Sequence, residues 1–346
     1  MNVRKHHLAT LEAVYAVATF PLDGEMHLLA ASEGRGGCLL FSPPDWKATE
    51  VMAGPGGAMS LMPLPGVAGA FLAIQGLFPV FQSENCGIVL AQRLGSLLDP
   101  WDVRQVIDLP FVHRFEVVMA GGAPTVVAST LCGGKASVDD WSMPGAVYAG
   151  RVPDDARAAW SVKPILTGLA KNHGMHVATF DGKTAVLIGA QEGVFLLRPP
   201  ARPGDSWEHE CLLDHEISDI STCDVDGDGK LEILAIEPLH GNTLAIYKSF
   251  NGGWAPIFEK PILEFGHVVW GGTILGAPTA IVGWRRGAKE LSLWQFRGGT
   301  PLVMEKIFCD EGVGPSQVAV FYEPGRDLIL SANHGVNEVA LYEVTP

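Results

Sequence analysis

The sequence predicts an all-β chain closed into a seven-bladed β-propeller, and three observations carry it: a sevenfold repeat, four short apolar runs per copy, and complementary chain ends. Each copy opens with an alternating apolar run that ends in a glycine turn. These are VYAVATFPLDG from Val14, AMSLMPLPG from Ala58, RFEVVMAGG from Arg114, GMHVATFDG from Gly174, ISDISTCDVDGDG from Ile217, HVVWGGTILG from His267 and SQVAVFYEPG from Ser316. The copies begin roughly 43 to 60 residues apart, the period of a propeller blade.

A second apolar run follows each turn, as in HLLAASE, AFLAIQG, PTVVASTL and LEILAIEP, and a third follows that, as in GCLLFSPP, GVFLLRPP and NTLAIYKS. Shorter fourth runs such as WKATEVM, RQVIDL and PLVMEKIF lead into the next copy. The last copy stops after its third run, VALYEV, while the segment at about residues 3–11, VRKHHLATL, precedes the first copy without a partner. Pairing the two completes blade seven, leaves no open sheet edge at the seam and makes residues 1–346 one domain. A β-sandwich, or two stacked β-domains, is the alternative for so many short strands.

Composition narrows the function. The 346 residues are 47% hydrophobic and 18% charged, with 41 Gly and 24 Pro, which suits short strands and turns. A net charge of -14 without a Lys/Arg run repels phosphate backbones and anionic bilayers, so nucleic acid and membrane are not expected as partners. The basic N-terminus is interrupted by Glu12 and does not read as a signal peptide. Six scattered cysteines without a CxxC pair read as structural thiols, and a cytoplasmic location is expected.

CDVDGDGKLEIL, in the first turn of the fifth copy, is the most charged stretch. Asp224, Asp226 and Asp228 alternate, Gly227 and Gly229 let the backbone curl, and the Lys230 carbonyl and Glu232 complete a hard oxygen cage suited to Ca²⁺. An EF-hand is excluded because its twelfth position is Ala235 and LEILAIE is a strand. Such a closed site fastens a turn and carries no chemistry.

The opposite face, where connections between blades and second-to-third-strand loops converge, holds seven of the eleven histidines. His113, His173, His176, His215 and His267 lie on connections into first strands; His240 and His334 lie after second strands. Beside them stand Arg285, Lys135, Glu192, Glu237, Gln75, Gln82, Glu84, Gln317 and Trp284. Imidazoles there can transfer protons or hold a second divalent metal, Mg²⁺, Mn²⁺ or Zn²⁺. No nucleophile elbow, P-loop or dinucleotide fingerprint accompanies them.

The turn D-x-D-x-D-G-x-x-E, with LTGLAKNHGMHVATFDGKTAVLIGAQEGVFLL and SANHGVNEVALYEV, resembles the FG-GAP/VCBS type of propeller and is similar to the propeller part of the aldos-2-ulose dehydratases, which are sugar lyases. That resemblance implies elimination or dehydration beside a carbonyl of a small carbohydrate substrate. His113, His173, His215, His267 and His334 then serve as acid and base candidates, with Arg285 or a metal on the enolate. Lys135, Glu192, Glu237, His240, Trp284 and Gln317 are the substrate-binding candidates. The alternative is a non-catalytic, calcium-stabilised FG-GAP propeller that binds a protein or a glycan, or an assembly scaffold. The oligomeric state stays open.

Overall fold

The computed structural model describes residues 1–79, 85–262, 264–299 and 301–346; Gln82 and Glu84 lie outside the described residues. Seven four-stranded antiparallel sheets form the blades. Blade one is β2 (Val14–Leu22), β3 (Glu25–Ser32), β4 (Cys38–Ser42) and β5 (Lys47–Met52), and blade two is β6 (Leu61–Pro63), β7 (Ala70–Gln75), β8 (Gly87–Gln92) and β9 (Asp102–Asp108). Blade three is β10 (Val112–Ala120), β11 (Ala123–Thr130), β12 (Gly145–Arg151) and β13 (Lys163–Leu169); blade four is β14 (Gly174–Phe180), β15 (Lys183–Ala190), β16 (Gly193–Arg198) and β17 (Glu208–Leu213). Blade five is β18 (Asp219–Cys223), β19 (Glu232–Glu237), β20 (Thr243–Phe250) and β21 (Gly253–Pro261); blade six is β22 (Gly266–Ile274), β23 (Ala277–Trp284), β24 (Leu291–Phe296) and β25 (Met304–Asp310).

Blade seven combines β26 (Gln317–Glu323), β27 (Arg326–Asn333) and β28 (Glu338–Thr345) with β1 (Asn2–Thr10). β1 runs antiparallel to β28 from Asn2 opposite Thr345 to Thr10 opposite Glu338, and Lys5 bridges Asp310 at 3.0 Å and Glu338 at 2.6 Å. Innermost strands of most neighbouring blades touch, β10 meets β7 between blades two and three, and β26 touches β2 to close the ring.

Local sequence explains this order. Middle strands are packed on both faces, so they read as unbroken apolar runs; β3 is buried continuously from His27 to Ser32. Outer strands face solvent, and β17 is exposed over most of its length. Two-residue hairpins with both central residues at positive φ, Asp23-Gly24, Asp181-Gly182 and Leu275-Gly276, match the right-handed strand twist. The first strand of blade two is only three residues long because Pro63 and Pro65 cannot donate to a ladder, although the Ile74 amide still reaches the Ser60 carbonyl. Among the described residues no helix is long and apolar enough to cross a membrane.

Candidate functional site

Tyr15, His113 and His267 are each skipped in the pairing register of β2, β10 and β22, so each is the extra residue of a β-bulge. Bulges re-aim side chains, here at the mouth of the central channel. The same position in the other blades holds Ser60, His173, Ser218 and Ser316. All seven stand nine residues before a glycine of positive φ: Gly24, Gly69, Gly122, Gly182, Gly227, Gly276 and Gly325. That spacing is legible in the sequence and identifies one polar residue per blade, all of them buried.

Burial of so many polar groups demands internal partners. Ser316 Oγ donates toward the Val14, Tyr15 and Ala332 carbonyls, Ser60 Oγ donates to the His113 carbonyl, and the His240 amide donates to Ser218 Oγ. His267 Nδ1 donates to the Ser316 carbonyl at 2.9 Å, and its Nε2 faces the Tyr15 hydroxyl at 3.3 Å. The belt thereby ties neighbouring blades together where they crowd most.

Four imidazoles meet inside it. The His113 and His173 rings lie 4.5 Å apart, His173 and His267 5.3 Å, and His240 stacks on His267 at 5.2 Å and on Phe265 at 4.2 Å. His113 and His173 are 1% and 0% exposed. Burial first, then the nearby guanidinium and imidazole charges, hold His113, His173 and His267 well below the usual histidine range, and burial with Arg285 and Arg114 lowers His240 to about 3. All four are neutral at physiological pH.

Two small cavities flank this layer. One, of about 200 Å³, is lined by Tyr15, Glu33, His113, His240, His267 and Arg285 among others. The other, of about 230 Å³, lies among Arg114, Glu116, His176, Asp219, His267 and Gln317. There burial raises Glu116 to about 7 and Asp219 to about 6 against the pull of Arg114, and burial lowers His176, hydrogen-bonded to Thr222 Oγ1, to about 4. Both cavities fall below the roughly 300 Å³ at which small-molecule sites begin.

The expected seven-histidine face is thus only partly assembled. His113, His173, His240 and His267 converge, whereas His215 is exposed on the rim, 3.0 Å from the Tyr247 hydroxyl and 3.5 Å from Glu237. His334 pairs with Glu33 and with Arg285 at 2.7 Å, beside the cluster. Most expected substrate-binding groups are engaged within the protein. Lys135 donates to the Val138 and Asp140 carbonyls and lies over Trp141, Glu192 accepts from the Ala170 amide, and Glu237 accepts from the Tyr247 hydroxyl. Trp284 is buried in the core of blades five and six. Gln317 accepts from the Val17 amide and donates to the Met59 carbonyl.

In blade five, Asp224 accepts from the amides of Gly227, Asp228 and Gly229, and Glu232 accepts from that of Val225. Asp224, Asp226 and Glu232 each bring an oxygen within 4.8 Å of the others, a cation's spacing. The cation there is internal: Lys248 Nζ lies 2.7 Å from Asp226, 2.9 Å from Asp228 and 2.9 Å from Glu232. Burial opposes its charge, but these three carboxylates outweigh that and raise its pKa. Ca²⁺ does not fit this arrangement unless Lys248 leaves. Lys230 is exposed, and its amide donates to Asp228.

Ring, belt and closure define the chain as a seven-bladed β-propeller. Among solved structures it is similar to the Cps50 (Swd1) β-propeller domain of Myceliophteria thermophila, at 12% identity and TM-score 0.61, over 99% of this chain and 100% of that one. It is also similar to Sqt1 of Saccharomyces cerevisiae, at 10% identity and TM-score 0.57, over 99% and 98%. No family model and no curated protein matches the chain. The FG-GAP/VCBS resemblance is therefore confined to the turn motif and loops that suggested it.

These findings correct the expectation of a sugar lyase acting on a small carbohydrate. Whole-chain likenesses include those to the Cps50 (Swd1) β-propeller domain and to Sqt1; the core histidines His113, His173 and His267 are buried, and most of the polar groups meant for a substrate already have partners.

Proposed function

We propose that this propeller is a non-catalytic module that docks a protein partner. The carrying observation is where the space lies. Against channel cavities of about 200 and 230 Å³, a groove of about 930 Å³ runs between blades three and four on the hairpin face. Its walls are the β10–β11 turn with Met119, the β14–β15 turn with Lys183 and Thr184, and the loop after β16 with Arg198, Pro199 and Pro200. The Gly121 amide donates to the Pro200 carbonyl at 2.7 Å, which binds that loop to the neighbouring blade.

Met119 is 60% exposed, an apolar anchor, and Arg198 Nη1 is buried without a partner among the described residues. The groove suits an extended segment with one apolar side chain and an acceptor, carboxylate or carbonyl, for Arg198. The test is retrieval of a discrete partner through wild-type protein and through Met119→Asp or Arg198→Ala. About tenfold weaker retrieval with unchanged melting supports this function, and equal retrieval contradicts it.

We further infer that the blade-five turn is closed by Lys248 in place of Ca²⁺. Six unpaired thiols, four of them buried, support a reducing, cytoplasmic setting.

A further inference from the structure

Three imidazoles from consecutive blades present ligand atoms within 4.8 Å of one another: His173 before β14, His240 between β19 and β20, and His267 at the bulge of β22. His173 Nε2 and His240 Nε2 are 3.3 Å apart. Two nitrogens bound to one tetrahedral Zn²⁺, each at about 2.0–2.1 Å, stand roughly 3.3 Å from each other. The third ligand has its tautomer fixed, because Nδ1 of His267 gives its proton to the Ser316 carbonyl and leaves the lone pair on Nε2, 3.3 Å from the Tyr15 hydroxyl. A carbonyl fixing the far nitrogen is how metal-bound imidazoles are held.

A separate observation concerns the same cluster. Among the described residues Nδ1 of His113 and Nδ1 of His173 are buried without a partner, in rings 4.5 Å apart and tilted 36° to each other. Orphaned polar atoms there, away from the ligand Nε2 of His173, ask for a water. Glu33, 3.4 Å from Arg285, offsets the nearest guanidinium. With no carboxylate in the ligand trio, the donor set discriminates against Mg²⁺, Mn²⁺ and Ca²⁺ and favours a borderline-soft cation.

We infer that His173, His240 and His267 form a Zn²⁺-type site that staples blades four, five and six at the channel mouth. Its fourth position faces Tyr15 and the 200 Å³ cavity. This goes beyond the docking function and stands independently of it.

The test is titration of chelator-stripped, full-length protein with Zn²⁺, followed by bound metal after gel filtration and by melting, with Co²⁺ as a spectroscopic substitute. One equivalent per chain, a raised melting temperature and the intense visible bands of tetrahedral Co²⁺ are expected. His240→Gln weakens Zn²⁺ binding by about 100-fold or more. The double variant His6→Gln/His7→Gln, which removes the adjacent histidines of β1, retains the equivalent. Loss of the metal in that double variant, or full retention in His240→Gln, overturns the site. If His240→Gln does not fold, the wild-type Co²⁺ spectrum decides, since weak octahedral bands contradict it.

Discussion

Lys248 Nζ lies 2.9 Å from Glu232 Oε1, beneath a turn whose acids are spaced for a metal ion. Glu232 is fully buried, so losing the ammonium strands its carboxylate. Lys248→Met is expected to destabilise the protein by about 2 kcal/mol and to make melting respond to Ca²⁺, while wild type does not respond. Thermal melts with Ca²⁺ and with chelator check this; a Ca²⁺-dependent wild type contradicts it.

Glu116 sets a pH dependence. Its folded pKa of about 7 exceeds the roughly 4.3 of an unfolded chain, so the folded state binds more protons across that window. Stability from this group is present at low pH and declines as pH rises from about 4 to about 7. Glu116→Gln should melt above wild type at pH 8, by on the order of 1–3 kcal/mol, and level with it at pH 4. Denaturant melts at both pH values decide; a pH-independent difference contradicts the assignment.

His176 has the opposite sign. Its folded pKa, lowered by burial to about 4, lies below the unfolded value of about 6.5, so its contribution is lost as pH falls between them. His176→Gln should flatten the acid limb of the stability curve between about pH 6.5 and pH 4. An unchanged limb contradicts this.

The seam is the mechanical weak point. Removing residues 1–10 deletes β1 and bares the β28 edge along its whole register. The truncated chain is expected to melt lower and to self-associate. Light scattering and melts check this; a monomer as stable as wild type contradicts the seam's role.

How much was legible follows from which residues carry local information. The blades were readable because apolar runs and glycine turns recur, and the N-terminal strand, expected at about 3–11, lies at Asn2–Thr10. The short β6 is explained by Pro63 and Pro65. Lys248 was not legible as the partner of the acidic turn, since β20 brings it back from 16 residues beyond Glu232. His215 and His334 could not be told from His113 and His267 by loop position alone. The bulge separates them, and the nine-residue spacing to each turn glycine marks the position it occupies, which His173 shares.

The central claim, that the chain works by docking a protein in the groove of blades three and four, is tested most directly by site-specific photocrosslinking. A benzophenone side chain at Thr184, within the groove, should capture one discrete partner, and the same group at Val138, exposed in the loop between β11 and β12, should not. No adduct at Thr184, or the identical adduct from both positions, would contradict the account.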